Sequence, residues 1–160
     1  MQQEKGYTIF ELVVYIALLA LMLAVTSSSA LSVYRFFGVT RIERQIALEG
    51  DTAMEVMIRD IRNAASTDVA ASTFALHPGV LVVGDVRFFL SGTTLRRSAG
   101  VEPVQDLTAK TRAANLLFYY ATSQSNGAEI ITIRMTLEAG NGFFERSRNF
   151  FGSAVLRGSY

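Results

Sequence analysis

The distribution of apolar positions divides the chain into three stretches. Residues 12–25 carry no charge at all. Thr8, Ile9 and Phe10 before them, and residues 26–33 after them, extend a run interrupted by one ionisable group, Glu11. About 20 apolar residues in a helix cross roughly 30 Å of hydrocarbon. The pattern therefore predicts a membrane helix close to the N-terminus. Beyond Thr26, Ser27, Ser28 and Ser29, apolar residues recur at Val39, Ile42, Ile46, Ala53, Met57, Ile61 and Ala64. Spacings mostly of three and four among Arg, Glu and Asp predict an amphipathic helix. Met54, Ile58 and Ala65 widen its stripe, and Glu55 and Arg59 form a favourable i,i+4 pair. Residues 63–66 read as its exit. The serine run, which can bond its own backbone, and Gly38 and Gly50 are the places where the helix is expected to bend or to meet a crossing element.

From Thr67 the period falls to two. Segments 80–83 and 86–90 read as strands, residues 91–94 as a turn, and 95–98 as the returning partner. Segment 115–121 reads as a strand and 123–127 as a turn. Ile131, Ile133, Met135 and Leu137 then alternate with Thr132, Arg134 and Thr136, the pattern of a half-buried strand. Residues 140–142 turn the chain, and 148–156 form a last strand. Five or six short antiparallel strands make a small sheet that needs an apolar cover. Ile42, Ile46, Ala53, Met57 and Ile61 supply it. The expected class is α+β: a long N-terminal helix, membrane half plus amphipathic half, packed on a small antiparallel β-sheet.

Composition sharpens this picture. Of 160 residues, 50% are hydrophobic and 18% charged, and the formal net charge is +1. The near balance gives no global reason to expect a nucleic-acid partner. No cysteine is present, which excludes disulfides, thiol nucleophiles and cysteine-held metals. The one histidine, His77, precedes Pro78 and reads as a loop or strand-end residue. Asp85, Glu102 and Asp106 fit no calcium-loop spacing. No serine has a base at a recognisable spacing, and no Gly-rich phosphate cradle occurs. An enzyme is not expected, nor is a cofactor or a metal.

Glu11 is the costly residue. A carboxylate costs about 2.5–3.5 kcal/mol at mid-bilayer and less near the interface. In the first turn of a helix, the macrodipole favours it. A cleaved secretory signal, a plain anchor and a headgroup-level carboxylate all remain open on these grounds, since Ala24, Ser27, Ser29 and Ala30 resemble a cleavage site. The basic residues Arg35, Arg41 and Arg44 after the span would, counted naively, place the C-terminal side in the cytoplasm.

The segment Lys5-Gly6-Tyr7-Thr8-Ile9-Phe10-Glu11-Leu12 resembles the prepilin cleavage and methylation motif of type IV pilins and type II secretion pseudopilins. The resemblance implies a leader, residues 1–6, cut between Gly6 and Tyr7 on the cytoplasmic face by a prepilin peptidase that also N-methylates Tyr7. Glu11 then stands at the fifth mature position, where the family pairs it with the N-terminal amine of a neighbouring subunit. Burying a carboxylate in lipid is unfavourable unless a cation meets it. The implied orientation puts the C-terminal domain outside the cytoplasm, against the charge count. The implied organisation is a transmembrane and assembly half at 7–33, an amphipathic half at 34–66 and a β-sheet head at 67–160, the pilin-like arrangement. The many major pilins with a Pro near mature position 22 differ from this chain, which has Ser28 there.

Arg41-Ile42-Glu43-Arg44-Gln45, the run 57–64 and the closing run 151–158 are similar to minor pilins and J-type pseudopilins. The resemblance therefore implies a structural filament subunit of a type IV pilus, a competence pilus or a type II secretion-like system. Its implied partners are other pilin or pseudopilin subunits, the peptidase, the inner-membrane assembly platform and the lipid bilayer. The alternatives are a tip subunit binding DNA, a surface or a secreted substrate, and a single-pass anchored sensor domain that is not a pilin. Arg96, Arg97, Arg146 and Arg148 are the candidate DNA-contacting cations. Their ordinary reading is a solvated or subunit-facing surface.

Overall fold

The computed structural model describes residues 8–124 and 127–157. One helix, α1, runs Ile9–Asn63, and two compact units divide after Thr40. The first, in its described part, is helix from Ile9 onward. Its apolar side chains, from Ile9 and Phe10 to Phe36 and Phe37, are all exposed. It is the one described segment long and apolar enough to cross a membrane. The helix persists through the serine run because its hydroxyls bond backward rather than competing for other partners. Thr26 Oγ1 donates to the Met22 carbonyl at 2.9 Å, and Ser28 and Ser29 Oγ both donate to the Val25 carbonyl at 2.9 Å.

The second unit begins at Arg41. It holds the second half of α1 and seven strands: β1 (Leu81–Val83), β2 (Val86–Ser91), β3 (Thr94–Ala99), β4 (Gln105–Asp106), β5 (Arg112–Thr122), β6 (Glu129–Ala139) and β7 (Arg146–Val155). They form two antiparallel sheets, β1-β2-β3-β4 and β5-β6-β7, not the single sheet expected. The cause lies between β3 and β5. After β4 the chain does not turn back as a hairpin. Thr108 is fully buried, and its Oγ1 accepts the Leu95 N–H at 2.9 Å. Residues 110 and 111 are tied to α1 by Glu49. A backbone bond from Ala113 N–H to the carbonyl of Thr93, in the β2–β3 turn, at 2.7 Å then brings β5 beside the first sheet without a strand ladder.

The helix covers both sheets with the predicted stripe. Ile46, Ala53, Met54, Met57 and Ile61 are buried, and Ile42 and Ile58 pack at the margin. They meet Leu81, Phe88 and Leu95 from the first sheet and Leu116, Phe118, Ile131, Ile133, Met135 and Leu137 from the second. On β6 the alternation holds as read, with Ile131, Ile133, Met135 and Leu137 inward. Gly50 is a crossing contact. A Cβ there would fall inside the ring of Phe150, so only hydrogen allows β7 to approach the helix.

Candidate functional site

Glu11 lies in the first turn of α1. Its N–H donates to Thr8 Oγ1 at 3.3 Å, and the Leu12 N–H reaches the Thr8 carbonyl at 3.1 Å. Thr8 is therefore the N-cap, and Thr8-x-x-Glu11 has the sequence of a capping box. The cap engages the backbone N–H of Glu11, and any residue there but proline would donate it. The carboxylate is not spent on the cap. Its Oε1 instead accepts the Tyr15 hydroxyl at 3.3 Å, one turn on. Glu11 thus sits as a partly exposed acid among exposed apolar side chains, in reach of a second group approaching from outside the helix. Gly6 and Tyr7, the expected processing residues, lie outside the described residues.

The arginines do not gather into one strip. Arg96 and Arg97 are neighbours on β3 of the first sheet, whereas Arg146 and Arg148 belong to β7 of the second. Arg96 Nε donates to Asp106 Oδ1 at 2.7 Å and its Nη1 to Ser91 Oγ at 3.2 Å. Arg97 Nε donates to Asp60 Oδ2 of α1 at 2.6 Å, and its Nη1 to Glu102 Oε2 at 3.3 Å. The Asp60 hydrogen bond holds the Arg97 pKa above its usual value, against the opposing effect of burial. Arg146 approaches Glu43 Oε1 at 3.7 Å, and Arg148 lies over the Phe150 ring at 5.2 Å. Glu102 and Asp106, which fit no calcium-loop spacing, are thus the partners of Arg97 and Arg96. The Nδ1 of His77 accepts the Leu116 N–H at 3.1 Å, a role in sheet edging.

A second constellation went unread. Glu49, on α1, accepts the N–H groups of Lys110 and Thr111 and the Thr111 hydroxyl, the last at 2.7 Å. Gln45 Nε2, one turn earlier, donates to the Lys110 carbonyl at 3.0 Å. No local pattern announces a bond between residues more than sixty positions apart. No family model, curated protein or solved structure matches the chain.

Proposed function

We propose that the chain is a filament subunit of the type IV pilin and type II pseudopilin kind, in the minor or J-type position. Glu11 is the observation that carries the reading. It is an acid in the first turn of an exposed apolar helix, five residues after Gly6, with only the Tyr15 hydroxyl as a described side-chain partner. The free N-terminal amine of a neighbouring subunit would neutralise it and fix axial register between two helices. The pilin-like arrangement draws further support from α1, whose apolar first half is exposed and whose second half is buried on β-sheets. On this reading the peptidase cuts between Gly6 and Tyr7, and the mature chain stands in the cytoplasmic membrane with its β-rich unit outside. The assembly platform then draws it into a filament. Its work is packing and initiation, not catalysis. The ion pairs of Arg96 and Arg97 favour a structural surface over DNA contact.

Intact mass measured on protein made with a prepilin peptidase present tests this. A chain beginning at N-methyl-Tyr7 supports it; an unprocessed Met1, or a cut after residues 24–30, refutes it. Gly6→Asp should block processing. Glu11→Ala should be processed and inserted yet fail to enter filaments, and normal incorporation would remove the pairing role.

A further inference from the structure

The two outer edges of the β5-β6-β7 sheet are treated differently. The Ser123 N–H bonds to the Ala128 carbonyl at 2.8 Å, and the Leu156 N–H to the Glu129 carbonyl at 3.0 Å. With the antiparallel registers, these fix which residues of β5 and β7 turn their amides toward β6 and which turn them away. On β5 the outward groups at Leu116 and Phe118 are occupied. Their carbonyls accept the N–H groups of Gly79 and Ala75, and the Leu116 N–H goes to His77. On β7 the outward groups belong to Ser147, Asn149, Phe151, Ser153 and Val155. Among the described residues none of their N–H groups has a backbone or side-chain acceptor. A long, unbulged edge strand with open amides is a template for another strand, and folded proteins usually block such edges.

This edge borders a groove. An open cleft of about 600 Å³ runs between α1 and β7 beside Phe150 and Phe151, with Met54 and Ile58 as its apolar floor. A second open cavity, sharing Arg62 and Asn63 with the first, lies beside Ser153, Val155 and Arg157. Their walls are charged in order. Asp51 and Glu55 lie at the end by Phe150, Arg59 follows one turn on, and Arg62 and Arg157 lie at the end by Val155. Arg62 and Arg157 form no ion pair among the described residues.

We propose that β7 accepts an added strand from another polypeptide, an extended segment running antiparallel to β7. That segment is acidic at its N-terminal end, apolar at alternate central positions and basic at its C-terminal end. Main-chain bonds to Asn149, Phe151 and Ser153 supply the affinity, as in other strand-addition complexes. The residues opposite Phe150, Gly152 and Ala154 face the helix, where Met54 and Ile58 select apolar side chains. The polarity of the groove sets direction, placing the acid by Arg62 and Arg157 and the base by Asp51 and Glu55. The inference does not depend on the filament reading.

The test uses the full chain in detergent micelles and a labelled seven-residue probe, acetyl-Glu-Thr-Val-Thr-Val-Thr-Lys-amide, with fluorescence anisotropy and amide hydrogen exchange as readouts. The probe should bind and slow exchange at Asn149, Phe151 and Ser153. Exchanging its terminal Glu and Lys should weaken binding about tenfold. Paired Arg62→Glu and Arg157→Glu changes should abolish that preference. A probe N-methylated at the amides that would face β7 should not bind. Equal binding of the N-methylated probe would overturn the proposal, as would unchanged exchange at those amides. Protection that rises with protein concentration in the absence of probe would also overturn it, by assigning the edge to a second copy of the chain.

Discussion

Arg97 on β3 and Asp60 on α1 form a hydrogen-bonded ion pair of 2.6 Å, with side chains 14% and 9% exposed. It is the only described ion pair with both partners so enclosed, and it fastens the first sheet to the helix. Losing Asp60 leaves Arg97 only the exposed Glu102, at 3.3 Å, and losing Arg97 leaves Asp60 only the exposed Arg59, at 3.7 Å. Arg97→Met and Asp60→Ala should each lower stability by about 2 kcal/mol, and the double variant by less than their sum. Denaturant titration followed by tyrosine fluorescence measures both.

The same pair sets a pH expectation. A cation whose folded pKa is raised contributes its full stabilisation below the unfolded value and loses it only as pH climbs past the folded one. For Arg97 that window lies in the strongly alkaline range. The cost of Arg97→Met should therefore stay constant between about pH 5 and 9, as stability curves at several pH values would show.

Gly50→Ala removes a poor helix former and should still destabilise. The propensity gain is about 1 kcal/mol, but the new methyl meets the Phe150 ring. Overpacking of this kind costs about 1–3 kcal/mol. A second change, Phe150→Leu, should recover part of the loss, a non-additivity visible in the double-mutant cycle.

Thr108→Val keeps the shape of a fully buried side chain and leaves the Leu95 N–H without its acceptor. The expected cost is about 1–3 kcal/mol. Thr108→Ser, which retains the oxygen, should cost less. Thermal unfolding of the three proteins distinguishes the lost bond from lost packing.

Glu49→Ala should release the 110–111 segment from α1. Amide exchange at Lys110 and Thr111 should quicken, and stability should fall by about 1–2 kcal/mol. Glu49→Gln, with one remaining carbonyl oxygen, should fall between the two proteins.

Much of the fold was legible because it rests on periodicity. Ile46, Ala53, Met57 and Ile61 announced the buried side of the helix, and Ile131 to Leu137 the inward side of β6. Those patterns need only neighbours along the chain. The division into two sheets did not show, because it depends on Thr108 reaching Leu95 and Glu49 reaching Thr111, pairings with no signature in either local sequence. Arg97 looked like a surface cation for the same reason: Asp60 lies 37 positions away. At the candidate site the motif made Glu11 prominent, while Thr8, its cap, went unnoticed in plain view three residues before it.

The hydroxyls of Thr26, Ser28, Ser29 and Ser32 have a consequence beyond helix continuity. Each donates to a carbonyl one turn back in its own helix. Their donor protons are therefore satisfied inside the helix in hydrocarbon, in water or against another protein. A segment built this way changes medium without stranding those four donors, and the cost of its transfer falls to the hydration of the hydroxyl oxygens and the carbon surface.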